Sequence, residues 1–194
     1  GGVPRQRVSS IGSSTCQSTT WSSDSSLSCR TQPGVSMALR TGITIETQIA
    51  VVASVIGLFS FDSPSISRVS SLGNASNSGT NLPTSAGLVL IRGGDYGTCD
   101  YTSSVRIQSA CTSSYWTSDS AVSCRFGQGF LSGQDITVTV GRSSGTLSDA
   151  VSFDIPAVQR FESNGQVAGG RKISIFGANF GFFDSSPKLQ VGLT

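Results

Sequence analysis

Five cysteines, Cys16, Cys29, Cys99, Cys111 and Cys124, are the side chains of this 194-residue chain best suited to covalent chemistry. Cys16 and Cys29 flank a Trp-x-Ser-Asp sequence at Trp21, and Cys111 and Cys124 flank another at Trp116. Read as hairpins centred on those turns, the members of each pair face each other across two strands, within reach of a disulfide. Two bridges, Cys16–Cys29 and Cys111–Cys124, are therefore expected, with buried free thiols as the alternative. A zinc site is disfavoured, because neither pair has the close Cys-x2-Cys spacing. Cys99 has no partner of this kind, so it is either a free thiol or an intermolecular bridge.

Other chemistry is sparse. Histidine is absent, which removes Ser-His-Asp and Cys-His nucleophile systems and every His-containing zinc site. Asp24 and Asp119 recur in the two tryptophan turns, and Asp62 and Asp154 recur before Pro64 and Pro156. Calcium between stacked units is one reading of these carboxylates, and turn capping is the preferred one. Trp21 and Trp116 are read as packing residues rather than sugar platforms. Lys172 and Lys188 near Asn179 and Asp184 suggest an isopeptide bond only weakly. Gly93-Gly-Asp-Tyr-Gly97 lacks the helix and lysine of a phosphate loop. No enzymatic activity, cofactor or metal is expected.

The composition bounds the setting. Charged residues make up 12% of the chain, apolar residues 37%, and the net charge is +2. Such a chain can bury a core, and its scattered basic residues do not form a nucleic-acid patch. The most apolar run, Ile49 to Phe59, is about half of what spans a bilayer, so no membrane insertion is expected. The N-terminal residues lack the apolar stretch of a signal peptide. With two disulfides the expected compartment is oxidising, hence extracellular or at the cell surface. Asn74-Ala-Ser76 is a glycosylation sequon in a polar loop, and glycans are the second partner class considered.

The elements that position these residues repeat. Thr20 to Arg30 recurs as Tyr115 to Arg125, Ile43-Thr-Ile recurs as Ile136-Thr-Val, Ser60-Phe-Asp as Ser152-Phe-Asp, and Gly93–Gly97 as Gly177–Gly181. Four matches in one order define a unit about 90 residues long. Period-2 alternation, β-branched enrichment and closely spaced turns predict an all-β antiparallel sandwich.

The pattern resembles the IPT/TIG family of immunoglobulin-like domains. Pro156 to Gly181 is similar to that family's opening: a proline-led strand, a Gly-Gly turn, an alternating strand and a Gly-x-Asn-Phe-Gly turn. The Cys…Trp-x-Ser-Asp…Cys hairpin looks like that of TIG repeats in large cell-surface proteins. The resemblance implies tandem immunoglobulin-like sandwiches. It departs at Gly73–Asn81, where a longer polar loop replaces the Gly-Gly turn.

Residues 60–151 make one complete unit, residues 1–59 the C-terminal half of another, and residues 152–194 an N-terminal half. The preferred expectation is a structural subunit of an extracellular filament, surface appendage or coat. Residues 152–194 of one protomer would then be completed by residues 1–59 of its neighbour, head to tail. The expected partner is thus the chain itself, through Ile173, Ile175, Phe180, Leu189 and Val191. Ile49, Ala50, Val51 and Val52, read as an apolar hairpin tip, join this set as a lateral or axial contact. The alternatives are a window of a larger tandem-TIG receptor or adhesin, and closure of the two halves within one chain.

Overall fold

The computed structural model describes residues 7–45, 48–51, 59–72, 79–161, 169–170, 172–181, 184 and 186–190. Asn74, Val52 and Val191 lie outside them, and no side chain is described for Gln48–Val51.

Sixteen strands and no helix are found among the described residues. First come β1 (Arg7–Ile11), β2 (Ser14–Thr15), β3 (Ser18–Ser23), β4 (Ser26–Arg30), β5 (Thr41–Ile45) and β6 (Gln48–Val51). They form a four-stranded sheet, β2-β1-β5-β6, and a separate hairpin, β3-β4. The middle of the chain supplies β7 (Ser65–Ser71), β8 (Gly87–Gly94), β9 (Ser104–Ile107), β10 (Ser109–Ala110), β11 (Ser113–Ser118), β12 (Ala121–Phe126), β13 (Gln134–Val140) and β14 (Ser143–Val151). These make two four-stranded sheets, β10-β9-β13-β14 and β11-β12-β8-β7. Last come β15 (Ala157–Phe161) and β16 (Ile175–Ala178), paired with each other and with no other strand among the described residues. Every strand-to-strand pairing is antiparallel.

The middle eight strands form a sandwich because each sheet has one apolar face. Along β13, Ile136, Val138 and Val140 are wholly buried while the threonines between them reach solvent, the alternation a half-buried strand requires. Val89, Ile91, Val122 and Cys124 from the opposite sheet join the same core, closed at one end by Phe126 edge-on to Phe153. Apart from Pro64, every buried apolar side chain among the described residues lies from Val69 to Phe153. The strands on either side have the same sequence pattern but, among the described residues, no comparable core.

Hydrogen-bond registers establish the repeat residue by residue. β7 and β8 pair Ile66 with Gly93 and Arg68 with Arg92 around a bulge, and β15 and β16 pair Val158 with Gly177 and Arg160 with Phe176 around the same bulge. Trp116 faces Val122 and Ser118 faces Ala121, just as Trp21 faces Leu27 and Ser23 faces Ser26. β1 and β5 reproduce β9 and β13.

Two expectations are corrected here. Ser9 faces Ile43 as Val105 faces Val138, so Ile43 corresponds to Val138 and not to Ile136. In consequence Gln48–Val51 is not a hairpin tip. It is strand β6, paired to β5 with Ile45 opposite Gln48, as Val140 lies opposite Ser143. The true counterpart of the Gly141-Arg142 turn falls on residues 46–47, outside the described residues.

Candidate assembly interface

The expected disulfides are formed, Cys16–Cys29 with Cα atoms 5.8 Å apart and Cys111–Cys124 at 5.9 Å. Neither spans a hairpin ladder. Opposite Cys29 stands Thr19, and opposite Cys124 stands Ser114, because the hairpin turns, at Asp24-Ser25 and Asp119-Ser120, lie past the midpoint of each cysteine pair. Cys16 and Cys111 have already left the ladder, and their amides donate to Ser9 and Val105 of the other sheet. Each bridge therefore ties the strand after the tryptophan turn to the crossover entering from the opposite sheet. Cys124 is fully buried in the core, whereas Cys29 is only partly covered. Cys99 is free and exposed.

The two hairpins differ in what they rest on. Among the described residues, β12 is hydrogen-bonded on both sides, to β11 and β8, while β4 is bonded to β3 alone. β8 likewise sits between β7 and β12, while among the described residues β16 has β15 as its one neighbour. The strands on the two flanks, β1–β6 and β15–β16, together reproduce the inventory of the central sandwich. Among the described residues they do not pair with each other.

The faces left by this arrangement are apolar. Ile66 and Val69 pack into the central core, but Val158 and Phe161, at the same places on β15, are 59% and 62% exposed. Tyr96 is wholly buried, and its counterpart Phe180 is 42% exposed. Of the residues expected at an interface, Ile175, Phe180 and Leu189 line one groove of about 730 Å³ beside Ile155 and Val158. Ile173 is half-buried nearby in sequence, before β16. Ile49, Ala50 and Val51 lie on the edge strand of a different sheet and are not brought to that groove. Ile155, Val158 and Phe161 were missed from sequence, although their spacing repeats that of Ser63, Ile66 and Val69.

Electrostatics contribute little on this face. Arg160 stacks over the ring of Phe176 at 4.5 Å, and Arg7 over Trp21 at 5.6 Å. Asp119 Oδ1 accepts from the Gly97 amide at 2.8 Å, a bond that joins two turns and differs from the cap on its own backbone expected from sequence. Asn179 donates to the Ile155 carbonyl at 3.2 Å, and Asp184 accepts from the Ser186 amide. Among the described residues no cluster of three or more carboxylates or cysteines is placed to hold a metal, and no helix is long and apolar enough to cross a membrane.

No known family model matches the chain. No curated protein sequence matches it significantly either.

Proposed function

We propose that the protein is a structural subunit of an extracellular assembly, built from TIG-type immunoglobulin-like sandwiches and joined head to tail. The front half-sandwich, β15–β16, receives the back half, β1–β6, of another copy. The joint then has the sheet β3-β4-β16-β15 facing β2-β1-β5-β6, the arrangement of the central unit.

One observation carries this reading. The flanking strands add up to one central sandwich, with the same registers and the same bulges, and each flank bears an apolar face that the central unit buries. Burying apolar surface at about 25 cal/mol per Å² drives such a union, and unpaired β4 and β16 edges are templates for each other. Because the contact joins different surfaces of successive copies, it builds an open filament wherever the rotation between them does not close into a ring. The two disulfides support an oxidising compartment.

Electron microscopy of the full chain, with sedimentation velocity across a concentration series, tests the proposal. Regular filaments repeating once per chain are expected. Particles that stay monomeric at every concentration would instead favour the rival role, an adhesive or ligand-binding segment of a larger cell-surface protein.

A further inference from the structure

The central sandwich shows how a tryptophan turn seats on a Gly-x-Asp-aromatic-Gly turn. Trp116 Nε1 donates to the Gly97 carbonyl at 3.2 Å, and the Gly97 amide donates to Asp119 Oδ1 at 2.8 Å. The backbone adds two more bonds, Tyr96 N to Asp119 O and Gly93 N to Ser120 O, each 3.0 Å. Below this clasp, β12 and β8 bring Val122 opposite Ile91 and Ser123 opposite Leu90.

Both halves of a second clasp are present, and both already hold the docked shape. In the donor turn, Ser23 and Ser25 hydroxyls lie 3.3 Å apart, as do Ser118 and Ser120 in the central turn. In the acceptor turn, Asn179 and Gly181 have φ of 61° and 95°, against 62° and 96° for Asp95 and Gly97. The left-handed φ that a non-glycine residue seldom adopts is thus present at Asn179 without a tryptophan turn on it. Trp21 is 52% exposed, and Asp24 and Gly181 are exposed. Preformed partners lose little conformational freedom on docking.

We infer that the Trp21–Ser25 turn of one copy clasps the Gly177–Gly181 turn of another, Trp21 Nε1 donating to the Gly181 carbonyl and the Asp24 carboxylate accepting from the Gly181 amide. This rests on the assembly reading and fixes its register: Leu27 faces Ile175, and Ser28 faces Ser174. Trp21 and Asp24 set the docking position, and Leu27, Ile175 and Phe180 supply the apolar burial.

The test uses full chains with Cys99→Ser, so that the exposed native thiol takes no part. One copy carries Ser28→Cys and a second carries Ser174→Cys; both positions are exposed. Mixed under mild oxidation, they should form a disulfide-linked dimer, while either copy alone forms none. Pairing the Ser28→Cys copy instead with a Phe176→Cys copy, two residues out of register, should give at least tenfold less product. Trp21→Phe keeps an aromatic ring but removes the donor, and Asp24→Ala removes the acceptor; each should weaken association about tenfold. Association that persists in both variants, or crosslinks preferentially at Phe176, overturns the clasp and its register while leaving the head-to-tail reading intact. Absence of any concentration-dependent association in the unmodified chain overturns both.

Discussion

Ile91 and Ile175 occupy the same point of the repeat and have opposite surroundings. Ile91 is wholly buried opposite Val122, whereas Ile175 is only half-covered in the groove beside Val158. Ile91→Ala should therefore cost about 2–5 kcal/mol of unfolding free energy, a loss plus a cavity. Ile175→Ala should cost the isolated protomer less than about 1 kcal/mol yet weaken self-association. Urea denaturation of both variants at a concentration where the chain is monomeric, paired with sedimentation, separates the two effects.

Tyr96 carries a buried hydroxyl that lacks a hydrogen-bond partner among the described residues. Burial pushes its pKa up to about 12 from an ordinary 10. The folded state thus favours the neutral phenol. As pH rises through 10 the unfolded chain loses its proton first, so stability falls progressively between pH 10 and about 12. Tyr96→Phe installs the ring that Phe180 already supplies at the equivalent position. It should flatten this site's share of the alkaline loss and, at neutral pH, be neutral or raise stability by up to roughly 1 kcal/mol. Thermal melts of both proteins from pH 7 to 11.5 measure it.

The disulfides should divide by role. Replacing Cys111 and Cys124 by serine opens a bridge whose one end sits in the core, at an expected cost of about 2–4 kcal/mol. Replacing Cys16 and Cys29 should leave the main unfolding transition of the central sandwich in place and lower the association constant. Calorimetry alongside sedimentation distinguishes these outcomes.

Cys99, exposed and unbridged, should react with a maleimide in the folded protein at one equivalent per chain. Tyr101 titrates above the ordinary phenol range, chiefly through its side-chain hydrogen bond with Cys99 and secondarily through burial. Cys99→Ala should therefore lower the Tyr101 pKa, read by ultraviolet difference titration against a Tyr101→Phe control. An unchanged titration curve would sink that attribution.

Gly93 lies where β8 crosses close to β7, and a Cβ there would run into the Ser65 carbonyl oxygen; a Cβ on Gly177 would meet the Ala157 carbonyl in the same way. Gly93→Ala should destabilise the central unit by more than about 2 kcal/mol, since backbone must move. Its counterpart Gly177→Ala should disturb association far more than protomer stability.

Much of this architecture was legible because its signals are local. The alternation of Ile136, Val138 and Val140 predicts a half-buried strand, and the repeated tryptophan turns predict hairpins. What misled was symmetry that the chain breaks by one or two residues. A two-residue slip of a period-2 strand keeps every side chain on its face, so Ile43 matches Ile136 as well as Val138 until the pairing with Ser9 decides. The disulfide pairs look centred on their turns, but the turns fall later, between Ser23 and Ser26 and between Ser118 and Ala121. The one-residue bulges at Ser22 and Thr117 do not make up the difference, so Cys16 and Cys111 stand on the crossover. Val158 and Phe161 escaped notice because their inward spacing depends on a third bulge, at Gln159.

The Cys16–Cys29 bridge has a consequence for where the chain can act. It holds the β3–β4 hairpin to the sheet containing Ser9 before any neighbour arrives. Joining two copies in an oxidising medium is then a meeting of nearly rigid parts. In a reducing medium the hairpin must be ordered at each encounter, at about 1–2 kcal/mol for every residue fixed. A few such residues suffice to change the association constant by orders of magnitude. On the assembly proposed above, the same polypeptide would remain dispersed where glutathione keeps thiols reduced and polymerise in an oxidising medium, with the redox potential of the medium serving as its assembly licence.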